Sequence, residues 1–122
     1  MTLGTPEHQA PKQITTKVFE NNFLVYSGGY ANNEPNGFGT EFFGSGTKWY
    51  EGNFRLGKRD DHGTLYGEDG GKVYEGLWSD NLFHGKGRKF HDGGGVQLEG
   101  VFRYGEKFFK GLGIVFFGLN LG

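Results

Sequence analysis

Tyr50-Glu51-Gly52-Asn53-Phe54 returns 24 residues later as Tyr74-Glu75-Gly76-Leu77-Trp78, and these two phrases decide the fold. Tyr26-Ser27-Gly28 with Tyr30 precedes them in the same register, and Leu98-Glu99-Gly100 with Phe102 follows. A fixed period of this size marks a chain of stacked supersecondary units rather than a single globular core. Each unit holds two runs of strand type separated by turn residues, so each is expected to be a β-hairpin. In the second unit the strands are expected over Lys48 to Phe54 and Gly63 to Gly67, with turns at Arg55 to Lys58 and Glu68 to Gly71. In the third they are expected over Val73 to Trp78 and Gly87 to Phe90, with turns at Asp80-Asn81 and Asp92-Gly93-Gly94.

A second glycine phrase lies between the strands of each unit: Gly37-Phe38-Gly39, Asp61-His62-Gly63 and Gly85-Lys86-Gly87. In the fourth unit it arrives two residues late, as Gly111-Leu112-Gly113, which places a two-residue insertion in a loop between Gly105 and Lys110. Side chains alternate along a strand, so Tyr50, Gly52 and Phe54 share one face and Glu51 the other. Glu51, Glu75 and Glu99 should therefore line a wet face. Tyr66, Phe90 and Phe42 are expected to lie across from Gly52, Gly76 and Gly28, a ring filling the space that each glycine leaves.

The fold class that follows is all-β: an elongated, twisted, single-layer antiparallel sheet of tandem hairpins. Its divisions are a polar arm over 1–16, an opening hairpin over 17–25 turning at Glu20-Asn21-Asn22, and four units over 26–49, 50–73, 74–97 and 98–122. Composition agrees with a thin repeat array, since the chain holds 25 glycines and 17% aromatic residues while branched aliphatics are sparse. The net charge of −1 argues against nucleic acid, whose capture needs a basic face. With no cysteine there is no disulfide framework and no thiolate chemistry. The first 17 residues lack the apolar run of a secretory signal, and no run approaches the length of a bilayer span.

Tyr-Glu-Gly, an aromatic two residues on, a Gly or Asn after a short turn, then Gly-x-Gly and a later Asp-Gly resembles the MORN repeat (membrane occupation and recognition nexus). Tyr50 to Val73 and Tyr74 to Gln97 carry the pattern best; Ser27 replaces the glutamate in the first unit and Leu98 the tyrosine in the fourth. The resemblance implies a non-catalytic scaffold, without cofactor, that presents a groove or an open end to other protein subunits. It implies a cytoplasmic place in a cytoskeletal assembly, such as a ciliary axoneme with its radial-spoke heads or a protist cortex. Contact with phospholipid is the alternative that it allows.

Three surfaces are candidates for partners. The first is an aromatic face of Tyr26, Tyr30, Phe42, Tyr50, Phe54, Tyr66, Tyr74, Trp78, Phe90 and Phe102, either plain core or core and docking surface together, with Trp78 as the anchor. The second is an open C-terminal edge of Ile114, Val115, Phe116, Phe117 and Leu119, apolar and without a blunting charge, suited to strand addition or end-to-end self-association. The third is a basic turn edge of Arg55, Lys58, Arg59, Lys86, Arg88, Lys89, Arg103, Lys107 and Lys110, which could rest on anionic lipid. Asp60, Asp61, Asp80 and Glu106 on the same edge argue for a mixed solvated rim instead. His62, His84 and His91 occupy different repeat positions beside no nucleophile, so no catalytic or metal centre is expected.

Overall fold

A computed structural model describes residues 12–109 and 114–117, with side chains over 12–105. Ten antiparallel strands form one open sheet in chain order: β1 (Ile14–Glu20), β2 (Phe23–Ala31), β3 (Glu34–Phe42), β4 (Lys48–Arg55), β5 (Lys58–Tyr66), β6 (Lys72–Ser79), β7 (Leu82–Phe90), β8 (Val96–Arg103), β9 (Glu106–Phe109) and β10 (Ile114–Phe117). No helix occurs among the described residues. The repeat dictates this order, because every strand pairs only with its neighbours in sequence.

Two kinds of connection alternate from β2 to β9, after a short opening turn between β1 and β2. The short ones are two-residue turns at Asn21-Asn22, Asn32-Asn33, Leu56-Gly57, Asp80-Asn81 and Tyr104-Gly105, every central residue at positive φ. That is the type I′ geometry, whose twist matches a right-handed hairpin and which favours Asn, Asp and Gly. The long ones, 43–47, 67–71 and 91–95, are superposable in their hydrogen bonds. Phe43 N–H, Gly67 N–H and His91 N–H donate to the carbonyls of Thr47, Gly71 and Gly95 at 2.8–2.9 Å. Gly46, Gly70 and Gly94 supply the left-handed residue of each, with φ of 97°, 89° and 101°. In the third unit the residue that needs glycine is thus Gly94 rather than the Asp92-Gly93 pair.

The strands differ from expectation in length. β5 begins at Lys58 and β7 at Leu82, five residues before Gly63 and Gly87, because a two-residue turn returns the chain at once into the ladder. β1 begins at Ile14, so it takes in the last three residues assigned to the arm; the Gln13 side-chain amide donates to the Asn36 backbone carbonyl at 2.6 Å and its Oε1 accepts from the Asn36 side-chain amide at 3.1 Å. Glu106–Phe109 is strand rather than loop. β10 then folds back on β9, Ile114 opposite Phe109, instead of extending the same strand.

The register contains one larger surprise. Gly28, Gly39, Gly52, Gly63, Gly76, Gly87 and Gly100 pair one to the next across seven strands, a glycine column perpendicular to the chain. Tyr66 and Phe90 stand opposite Lys72 and Val96, not Gly52 and Gly76, and Phe42 stands opposite Lys48. A bulge within each hairpin places two extra residues in β3, β5 and β7, which displaces the register from that expected.

Candidate functional site

The ring that covers each glycine comes from the adjoining strand's own tyrosine. A Cβ on Gly39, Gly63 or Gly87 would collide with the phenol of Tyr26, Tyr50 or Tyr74 respectively. Each hydroxyl, having crossed the column, donates to the carbonyl three residues ahead: Tyr26 to Gly29 at 2.7 Å, Tyr50 to Asn53 at 2.9 Å and Tyr74 to Leu77 at 2.8 Å. Burial raises the Tyr26 phenol to about 12, and Tyr50 and Tyr74 move further in the same direction for the same reason.

Phe54, Trp78 and Phe102 interleave with these tyrosines. The rings run Tyr26, Phe54, Tyr50, Trp78, Tyr74, Phe102, each edge-on to the next, with centroids 5.1–5.4 Å apart. This is the favourable quadrupole arrangement, repeated along the sheet. Phe83 stacks on Tyr74 at 3.9 Å. The six rings are 0–5% exposed, and the Trp78 indole N–H donates to the Gly63 carbonyl at 3.0 Å. Trp78 is therefore not an exposed anchor; the chain itself consumes its ring and its donor.

Tyr30 joins this face at the rim, 5.7 Å from Tyr26. Phe42, Tyr66 and Phe90 do not. The bulge that follows Glu41, Leu65 and Lys89 places its extra residue in the partner strand, so alternation along their own strands puts Phe42, Tyr66 and Phe90 on the opposite face, beside the glutamates. There Glu51, Glu75 and Glu99 stand in a cross-strand row with Thr40, Thr64 and Arg88.

The basic residues do not share one edge. Arg59 projects onto the aromatic face, where its guanidinium donates to Glu41 at 2.8 Å and lies 4.7, 5.1 and 5.6 Å from the rings of Trp49, Tyr50 and Trp78. Lys89 is also on that face, between Tyr74 and Leu98. Arg88 bonds Glu99 on the glutamate face at 3.0 Å, where Lys86 stands opposite Val101. Arg55 and Lys58 flank the Leu56-Gly57 turn, Arg55 facing Asp60 at 3.8 Å, and Arg103 precedes the Tyr104-Gly105 turn. Lys107 lies in β9, and Lys110 is outside the described residues.

Successive hairpins are latched at the turns by a second periodic set of bonds. The N–H groups of Gly57, Asn81 and Gly105 donate to the carbonyls of Pro35, Arg59 and Phe83 at 2.8–3.0 Å. Leu56 N–H donates to Asn36 Oδ1 at 3.3 Å, and Tyr104 N–H to His84 Nδ1 at 3.2 Å. His84 is thus a turn acceptor, and no group of three potential metal ligands occurs among the described residues.

Sequence reasoning missed Leu65, Phe83 and Trp49, and it placed Arg59 on the basic edge rather than among the rings. Leu65 and Phe83 belong to the aromatic-face packing. Position 83 is the repeat equivalent of 59, so one site holds a cation in one unit and a ring in the next; no composition signal announces that. Trp49 reaches the aromatic face because the bulge between Glu41 and Phe42 leaves it opposite no partner, and it stacks on Phe43 at 5.4 Å while 39% exposed.

Of the C-terminal edge, Ile114–Phe117 form β10, paired with β9 on one side and with no strand on the other among the described residues. Leu119 lies outside them.

An unclosed ladder of hairpins with an aromatic and a glutamate face defines a repeat protein. The MORN repeat family model matches residues 26–48, 50–72 and 74–95, more than half of the chain, and the chain belongs to the MORN repeat family. MORN repeats are non-catalytic modules of protein and membrane interaction. No curated protein matches the sequence. The match ends before the fourth unit, yet there Gly100 still pairs with Gly87 and Phe102 is 1% exposed.

Proposed function

We propose that the chain is a scaffold subunit that joins proteins through the open β10 end of its sheet, in a cytoplasmic cytoskeletal assembly of the ciliary or cortical kind that the family implies. The observation that supports this reading is the unequal character of the two outer strands. β1 carries Lys17 at its centre and a bulge between Val18 and Phe19, devices that discourage strand pairing. β10 has the sequence Ile-Val-Phe-Phe and an outward ladder without a partner among the described residues. An added strand there gains backbone hydrogen bonds with no rearrangement of the aromatic core.

The test is sedimentation of the purified chain beside the double substitution Val115→Lys, Phe117→Lys, followed by pull-down and mass spectrometry. The parent is expected to self-associate or to retain cytoskeletal proteins, and the double variant to lose that property. Equal sedimentation and equal recovery for both would remove the β10 reading.

A further inference from the structure

Two charged residues stand in the row of the repeat tyrosines, and only one of them is balanced. The row through the repeat tyrosines reads Tyr26, Glu41, Tyr50, Leu65, Tyr74, Lys89, Leu98 across successive strands. Glu41, Leu65 and Lys89 are therefore repeat equivalents placed between aromatic or apolar neighbours. Glu41 is neutralised by Arg59 at 2.8 Å. Arg59 lies 18 residues beyond Glu41, and the residue the same distance beyond Lys89 is Lys107, so the repeat places no carboxylate at that position. Its ammonium lies 5.8 Å from the Phe83 ring centroid and has no carboxylate within ion-pair distance among the described residues. Burial pushes the Lys89 ammonium down from its ordinary range, which is the sign of a cation held where water serves it poorly.

Beside Lys89 is a cleft of about 350 Å³ between the loops at 67–72 and 91–97, lined by Val73, Phe90, His91 and Gln97 as well as by Lys89 itself. Asp69 and Asp92 also line it, and Asp69 Oδ1 is occupied by the Gly71 N–H at 2.9 Å. Lys72, the other lysine of the cleft, is spent on Glu75 at 3.0 Å.

We infer that Lys89 is a recognition residue for a carboxylate of an acidic peptide segment in a protein partner, seated over the cleft between these loops. The inference rests on the docking reading above and deepens it, naming the chemistry of a partner contact separate from β10. A carboxylate supplies the missing counter-charge, and a charge-assisted hydrogen bond in a poorly hydrated place is strong. A flexible peptide suits the site better than an anionic membrane, because it can set one carboxylate against Lys89 and keep its other charges clear of Asp69 and Asp92, which a flat negative surface cannot do. Leu65 shows that the same position also accepts an apolar residue packed against the core rings.

The full-length chain is titrated with fluorescein-labelled hexaglutamate, and separately with phosphatidylcholine vesicles containing phosphatidylserine. Salt-sensitive hexaglutamate binding is expected, weakened at least tenfold in Lys89→Gln and Lys89→Leu but unchanged in Lys86→Gln, which alters an exposed lysine on the opposite face. Lys89→Leu is also expected to raise Tm, since it installs the residue of the equivalent second-unit position. Binding of hexaglutamate to no form, equal weakening by Lys86→Gln, or a lowered Tm in Lys89→Leu would overturn the assignment. Vesicle binding that is lost in Lys89→Gln without peptide binding would overturn it in favour of a lipid phosphate. None of these outcomes bears on self-association through β10, so the two readings fail separately.

Discussion

Asp61 occupies the place of a glycine. Its equivalents, Gly37 and Gly85, have φ of 92° and 109°, and Asp61 itself has φ 65°. In each unit this residue stands directly across from the next hairpin's ring, Phe54, Trp78 or Phe102. Aspartate visits left-handed backbone more readily than most residues but still at a cost. Asp61→Gly is expected to stabilise the fold by about 1 kcal/mol and Asp61→Val to destabilise it by more than that, read as shifts of the urea midpoint. The glycine column makes the opposite demand. Gly63→Ala would drive a methyl into the Tyr50 ring and is expected to cost roughly 3 kcal/mol or more, whereas Gly93→Ala meets nothing within 4 Å and should be neutral or slightly stabilising. If both alanines shift the midpoint equally, the ring does not lie over Gly63.

At the scale of elements, the hairpins hold together through rings on one face and turn latches at one end. His84 accepts the Tyr104 N–H where Asn36 accepts the Leu56 N–H. Asparagine is thus the natural substitute: His84→Asn should preserve the junction between the third and fourth hairpins. His84→Ala should cost about 1 kcal/mol and speed amide exchange at Tyr104 and Gly105. Exchange slowed equally by neither variant and hastened by both would mean that the imidazole packs against Tyr104 rather than accepting from it, the ring contact being 4.6 Å.

Across the whole molecule, stability should depend on alkaline pH with a definite sign. Folding holds the Tyr26 phenol protonated up to about 12, against an ordinary value of 10.0, and Tyr50 and Tyr74 shift the same way. A folded-state pKa above the unfolded one means that the native chain binds more protons between the two. The stabilisation is complete below pH 10 and disappears as pH rises through the folded value, Tyr26 alone accounting for about 3 kcal/mol. The three buried phenols are expected to ionise together with loss of the β-sheet circular dichroism. Tyrosinate absorbance that reaches its full value while the sheet signal is intact would contradict the burial described. Because each strand touches only its neighbours, damage at Gly63 should loosen β4 to β7 first and leave β1 to β2 protected, a gradient that hydrogen exchange can read.

The period of 24, the hairpin unit, the all-β class and the membership of Tyr50, Phe54, Tyr74, Trp78 and Phe102 on one face were determined by the sequence by itself, because alternation and turn chemistry are local rules. The opening hairpin was legible at Asn21-Asn22 for the same reason. The register rests instead on the bulges, which form only when neighbouring strands pair. Two extra residues in each second strand align glycine with glycine and bring Tyr50 over Gly63, and alternation from that pairing puts Tyr66, Phe90 and Phe42 on the other face. A bulge leaves little trace in composition, since Gly37, Asp61 and Gly85 make it with two different residue types. Which charges are balanced was equally hidden: Arg59 and Lys89 read as one basic edge until register set Arg59 beside Glu41 and left Lys89 beside Phe83. Periodicity is a property of the chain, but counter-charge is a property of neighbours that only the folded register brings together.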